Sequence, residues 1–352
     1  MHNGLRILGL LWACSAAVPP GAARETPAVT PVRLEKMVAV LAKHPPGFAV
    51  DPVRERVFLD LDQFIESAVR PGQPFDLSAE PVRPWAWVAR RVAPVLDEAA
   101  VPATAVGQLA VWQMYNMGLI CRAGNVVAGM DLIAVPGAGS EFRRRVAALV
   151  DVLLVTHAHP DHFDADLVQA CLDAGKPVFV SAAIAAEREP HPRLHAIDEA
   201  GEFDVAGIHI VARRGVHVWA GSRDDTHMIY YEVTFPAGHT VIFCGDLDYT
   251  REFEKTPGQT VDLLVIPWRS PNELYEPGSP RQVAGHKDAV QIALDRIQPQ
   301  YLLFSHYAEL LHVLRGMPAS YEIAAGLKRT VAVPAEFLFW GESLRLPAAA
   351  QP

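Results

Sequence analysis

The stretch Thr156-His157-Ala158-His159-Pro160-Asp161-His162-Phe163-Asp164 places three imidazoles and a carboxylate within six residues. Neutral imidazole nitrogen and carboxylate oxygen are the donors that Zn, Fe and Mn accept, and structural roles rarely need so many ligands so close together. His157 and His159, two apart, can chelate one ion, while Asp161 and His162 point toward a neighbouring one. A solvated histidine-rich loop is the competing reading. It is disfavoured by the run in front, Asp151-Val152-Leu153-Leu154-Val155, which is apolar, branched and the length of a buried strand. The ligand-type residues thus leave a rigid element that can fix their geometry.

The pattern His-x-His-x-Asp-His after an apolar strand resembles the metallo-β-lactamase superfamily, and candidates for the family's other motifs follow in order. Asp131, after Val126-Val127-Ala128-Gly129-Met130, resembles the early strand-end aspartate that buttresses the metal loop. His217 closes the stretch from Ile208, Gly245-Asp246 follows Val241-Ile242-Phe243-Cys244, and His306 ends Tyr301-Leu302-Leu303-Phe304-Ser305. The likeness covers residues 105–345 approximately. It implies that His157, His159 and His217 hold one metal, Asp161, His162 and His306 a second, and Asp246 bridges both. Two divalent ions are the implied cofactors, zinc by default, with Fe or Mn suited to the same donors. Metals so placed share a hydroxide available near neutral pH and polarise a substrate oxygen. Asp161 is the implied catalytic group, orienting that nucleophile or passing a proton to the leaving group.

The elements that must position these residues read as α/β. Helices are expected at 164–174 and 287–296, and strands at 177–181, 261–266 and 301–304. A hairpin is expected to join 228–234 to 240–243 across Phe235-Pro236-Ala237-Gly238-His239. Periodicity supports only α/β; the resemblance implies the four-layer αβ/βα sandwich of the metallo-β-lactamase fold. Residues 24–104 are expected to form a linker and an N-terminal helical appendage, and 105–352 the catalytic domain that the resemblance implies. Within the appendage, 32–42 and 85–99 show helical apolar spacing, with Pro94 expected to kink or shorten the second helix.

The chain has 352 residues, half of them hydrophobic, enough for a substantial core. A net charge of -9 argues against a nucleic-acid footprint. Beyond the N-terminus no uninterrupted apolar run is long enough to span a bilayer. Residues 1–23 read as a signal peptide: Arg6, an apolar core from Ile7 to Val18, and the small residues Gly21-Ala22-Ala23. The mature chain is therefore expected in the periplasm or outside the cell. Leu11-Trp12-Ala13-Cys14 approximates a lipobox, but Trp12 is bulky for its place, so soluble export is favoured over lipidation at Cys14. Cleavage leaves Cys121, Cys171 and Cys244, an odd count without short spacing, read as buried free thiols.

Four more residues are weak candidates for substrate binding: His227, His286, Trp219 and Trp268. His227 rivals His217 for the third-histidine role, but His217 directly follows a strand and lies 29 residues before Asp246. His286 opens a helix, where a capping role is as good a reading. Trp219, Trp268 and Tyr249 follow strands, where aromatics more often pack than bind. The 60 residues between Asp246 and His306 leave no room for the inserted domain of nucleic-acid-processing relatives. Gly245-Asp246 differs from the secreted β-lactamases, which generally lack the bridging aspartate. The spacing most resembles the branch that includes ascorbate-phosphate lactonases and N-acyl phosphatidylethanolamine phospholipases D. The resemblance implies a hydrolase of a small-molecule or lipid ester, foremost a phosphodiester, and the N-terminal segment adds the expectation of export. A lactonase, a β-lactamase-like amide hydrolase and a non-catalytic metal-binding protein are the alternatives.

Overall fold

The computed structural model describes residues 31–68, 84–102, 107–135, 137–217, 227–251, 253–268, 280–310 and 321–348. Three helices open it: α1 (Pro31–Leu41), α2 (Pro52–Ala68) and α3 (Pro84–Ala100). Residues 1–23, read above as a signal peptide and including Cys14, and Trp219 lie outside the described residues. Pro94 does not shorten α3, which runs through it. A proline deletes one helical hydrogen bond; burial of Val88, Val92, Val95, Leu96 and Ala99 offsets that loss. The sequence reading lacks α2. Its buried positions Val57, Phe58, Leu61, Phe64 and Ile65 are interleaved with Asp60, Asp62 and Glu66, which blurs the apolar stripe.

From Leu109 onward the chain is built of strands and helices. Its elements are β1 (Leu109–Gln113), β2 (Leu119–Ala123), β3 (Val126–Met130), α4 (Gly139–Leu149), β4 (Val152–Leu154), α5 (Ala165–Asp173), β5 (Val178–Ser181), α6 (Ala182–Ala186), β6 (Leu194–Ile197), β7 (Ala200–Val205) and β8 (Ile208–Gly215). They continue as β9 (Met228–Thr234), β10 (Thr240–Phe243), β11 (Leu263–Pro267), α7 (Pro280–Ile297), β12 (Tyr301–Ser305), α8 (Tyr321–Thr330), β13 (Ala335–Phe337) and β14 (Ser343–Leu346). The strands form two seven-stranded sheets, ordered β14-β1-β2-β3-β4-β5-β6 and β13-β12-β11-β10-β9-β8-β7. The expected hairpin is present as the antiparallel pair β9–β10.

Alternation along the strands explains the layering. Leu119, Cys121, Met130 and Leu154 of one sheet share an apolar cluster with Ile210, Tyr231, Phe243 and Val265 of the other. The opposite faces, including Ile120, Leu153, Ile242, Leu264 and Leu302, pack in a second cluster with the helices. Two mixed sheets flanked by helices make the αβ/βα sandwich, with the N-terminal helices sharing the second cluster. Cys121, Cys171 and Cys244 are buried free thiols.

Polar contacts fasten the N-terminal helices to the end of the chain. Arg54 donates to Glu342 through Nη1 at 2.7 Å and Nη2 at 2.5 Å, and to the Phe337 carbonyl at 2.9 Å. Asp62 accepts from the Tyr307 hydroxyl at 2.5 Å and from the Tyr321 backbone N–H. Lys328 pairs with Glu336 at 2.9 Å, and that carboxylate also accepts from Gly47 N at 2.8 Å. No described helix is long and apolar enough to cross a membrane.

Candidate metal centre

β3 and β4 run parallel, and so do β10, β11 and β12; β8 is antiparallel to β9, which is antiparallel to β10. The C-terminal ends of β3 and β4 therefore point one way in their sheet, and those of β8, β10 and β12 share a direction in theirs. Asp131, the 156–162 loop, His217, Asp246 and His306 follow these ends. Two bonds tie the sheets together beside the loop: the Tyr231 hydroxyl donates to Val155 O at 2.8 Å, and Ile229 N to Thr156 O at 2.9 Å.

Beyond β4 the chain turns tightly, with His162 N and Phe163 N both donating to His159 O at 2.9 Å. Asp164 then caps α5, accepting from Leu167 N at 3.0 Å, as side-chain oxygens do at helix starts. Its carboxylate is gripped by Arg143 Nε at 2.9 Å and Ala134 N at 2.9 Å. The loop is thus anchored at both ends, at β4 and at α5.

The seven predicted ligands come together in two groups. His157, His159, His217 and Asp246 form one, and Asp161, His162 and His306 the other; within each, the donor atoms lie within 4.8 Å of one another. Asp246 reaches both. Its Oδ2 is 3.6 Å from His217 Nε2 and 3.4 Å from His162 Nε2, and its Oδ1 is 3.2 Å from His306 Nε2. Asp161 Oδ2 lies 3.5 Å from His162 Nε2 and 3.7 Å from His306 Nε2. Five of the seven are buried, while His159 and Asp161 are half-buried and mark the open side.

Outer partners select the tautomers. Asp131 accepts from Thr156 N and from the Thr156 hydroxyl, each at 2.7 Å, and its Oδ2 is 2.7 Å from His162 Nδ1. With its proton given to Asp131, the Thr156 hydroxyl accepts from His157 Nδ1 at 2.9 Å. Both rings therefore carry hydrogen on Nδ1 and turn Nε2 inward, the arrangement that outer-shell acceptors impose on metal-binding histidines. On the other side Glu309 Oε2 lies 3.2 Å from His306 Nδ1. Gly245 is required by contact: at φ 55°, a Cβ there would meet Thr156 Oγ1 at 2.5 Å.

The electrostatics divide along the same line. Burial, reinforced by His162, pushes the His157 imidazole well below the ordinary histidine range, and burial with His217 lowers His159. Burial opposes protonation of His162 and His306 as well, but carboxylates outweigh it. Asp246, Asp161 and Asp131 hold His162 well above the usual value, and Asp246 with Glu309 lifts His306 to about 9. Burial likewise opposes ionisation of Asp246, yet His306 and His162 hold it well below the carboxylate range. A cation and a proton compete for the same nitrogens in such a cluster.

The residues fit a metal centre. His157 Nε2 is buried without a hydrogen-bond partner among the described residues, a costly state unless a cation completes it. The donors are all nitrogen and oxygen; the buried Cys244 thiol, two residues before Asp246, is pushed well up by burial.

The weaker candidates fare differently. His227 Nε2 is 2.5 Å from Asp198 O, and the ring stands outside both groups. Trp268, a weak candidate at a position where packing was the favoured reading, is buried at 1% exposure and donates Nε1 to His306 O at 2.6 Å. It braces the backbone of the candidate ligand His306. His286 is also buried, with its ring 6.3 Å from that of Trp268, which makes it neither a surface cap nor an exposed contact. Tyr249 is fully buried. Sequence reasoning missed Asn116 and Glu309. His306-x-x-Glu309 has a spacing that offers an imidazole its carboxylate, whereas a lone asparagine in a turn carries no such signal.

Residues 128–307 match the model of the β-lactamase superfamily domain. The chain belongs to this family. With the His/Asp cluster in place, it is a metal-dependent hydrolase of the metallo-β-lactamase fold. Similar solved structures include Igni18, a metallo hydrolase from Ignicoccus hospitalis, at 13% identity over 68% of this chain and 99% of that one, TM-score 0.47. The metallo-β-lactamase fold protein YhfI from Bacillus subtilis is 15% identical over 68% and 99% of the two chains, TM-score 0.45. CmlA, a diiron β-hydroxylase from Streptomyces venezuelae, is 16% identical over 69% of this chain and 54% of its own, TM-score 0.46. No curated protein matches the chain.

Proposed function

We propose that this protein is an exported hydrolase that uses two divalent metal ions, zinc by default, to cleave a phosphodiester. The observation that carries the reading is Asp246, whose two oxygens approach histidines of both groups, 3.6 Å from His217 and 3.2 Å from His306. His157, His159 and His217 would hold one ion, Asp161, His162 and His306 the other, and Asp246 would be shared. Bound ions would polarise a phosphoryl oxygen and lower the pKa of water, which suits a slow diester. The chain's own residues supply the rest. Asp131 and Thr156 fix the ring orientations of His162 and His157, and buried Asp246 keeps its charge between them. Asp161, half-buried at the open side, would orient the attacking water or return a proton to the leaving oxygen. The spacing from His217 to Asp246 and from there to His306 supports the branch of ascorbate-phosphate lactonases and N-acyl phosphatidylethanolamine phospholipases D. The N-terminal signal segment supports export.

The test is turnover of bis-(p-nitrophenyl) phosphate by the purified protein, expected to vanish with chelator and return with divalent metal. Rapid opening of lactones without diester cleavage would replace this reading with a lactonase. Hydrolysis of penicillins or carbapenems would show that the bridging-aspartate reasoning had failed.

A further inference from the structure

The turn between β1 and β2 brings Asn116 into the Asp161–His162–His306 group, although nothing in the ligand motif points to it. Asn116 is fully buried and adopts φ 57°, a left-handed conformation that asparagine tolerates better than most residues. Its Nδ2 donates to Asp161 Oδ2 at 2.7 Å and lies 3.2 Å from His306 Nε2. The opposite amide orientation would set a carbonyl oxygen against the carboxylate, so the N–H group faces the site. Oδ1 is buried without a hydrogen-bond partner among the described residues, so no second polar contact pulls the amide away. The backbone is clamped instead: Asn116 O accepts from Gln113 Nε2 at 2.6 Å and from Ser305 Oγ at 3.0 Å, and Ser305 precedes His306. The β1–β2 turn and the strand bearing His306 are thus locked together at this residue.

Asp161 Oδ2 is the oxygen nearest His162 and His306, and Asn116 occupies one side of it. A carboxylate bound to a metal through one oxygen needs its rotamer held, and outer-shell hydrogen bonds do that. We infer that Asn116 is the positioning residue of the second metal pocket, setting Asp161 and His306 for that ion and leaving the first pocket alone. The first pocket has its own support in Thr156, which bonds His157, and the described hydrogen bonds of Asn116 do not reach His157, His159 or His217. This inference rests on the two-pocket reading above.

The experiment is titration of the metal-free full-length protein with Co(II), followed by calorimetry and by the visible absorption of each equivalent. Asn116→Gly removes the amide while keeping a residue at ease with positive φ. The expected result is a first equivalent bound as in the parent and a second bound about 10- to 100-fold more weakly, with its absorption altered. An unchanged second equivalent, or equal weakening of both, overturns the inference while the two-pocket reading stands. A parent that takes up only one ion overturns both. Should Asn116→Gly fail to fold, Gln113→Met loosens the same turn without touching the amide. Weakening confined to the second equivalent is again expected, and no selective loss counts against the proposal.

Discussion

Gly245→Ala should damage fold and site together, and the two parts can be separated. At φ 55° a non-glycine residue pays a left-handed backbone cost of about 1–2 kcal/mol. The new Cβ would also lie 2.5 Å from Thr156 Oγ1 and 2.8 Å from Thr156 Cβ and Cγ2. Overpacking of this kind costs about 1–3 kcal/mol more. The expected destabilisation is about 2–5 kcal/mol, a large part of the roughly 5–15 kcal/mol typical of a whole domain. Thr156 cannot yield without disturbing its bonds to Asp131 and His157, so metal affinity should fall about 10- to 100-fold as well. Gly258→Ala is the control. Gly258 has φ 79° with nothing within 4 Å of an added Cβ, so only the backbone cost of about 1–2 kcal/mol applies. Urea unfolding of both metal-free variants and Zn(II) titration of each give the two differences. Equal unfolding midpoints and equal Zn(II) affinity for the two variants would refute the packing argument and the role given to Thr156.

Asp246→Asn should lower occupancy of both pockets in metal analysis, because a neutral amide bridges two cations poorly; loss of one ion would make Asp246 a terminal ligand. Arg54→Ala leaves Glu342 buried without its partner and should cost about 3–5 kcal/mol in urea unfolding; a change below about 1 kcal/mol would show that the N-terminal helices are not anchored there. Burial lowers the His286 pKa to about 4 in the folded chain, below its unfolded value near 6.5. Its neutral form therefore stabilises the fold above pH about 6.5, and that contribution is lost as pH falls toward about 4. His286→Gln should flatten the decline of urea stability across this window, and parallel profiles for parent and variant would contradict the assignment.

The sequence made the candidate ligands legible because their motifs follow directly on strands, so local pattern and tertiary position coincide. Leu153, Phe243 and Phe304 are buried in strands that lead directly to His157, Asp246 and His306. Elements whose identity depends on distant packing were harder to read. α2 mixes acidic residues into its buried face because Asp62 serves Tyr307 and Tyr321, more than 240 residues away. Asn116 acquires its role only when the β1–β2 turn meets Asp161 and Ser305 across the fold. Trp268 reads from the sequence as packing, yet the bond from its N–H to the His306 carbonyl emerges only in the fold.

The central claim is that two adjoining metal pockets share Asp246. Metal analysis of the purified protein, set against its rate with bis-(p-nitrophenyl) phosphate during reconstitution from the metal-free state, tests it most directly. The account predicts saturation at two ions per chain, with activity appearing as the second ion binds. Saturation at one ion, or full activity with only one bound, would contradict it.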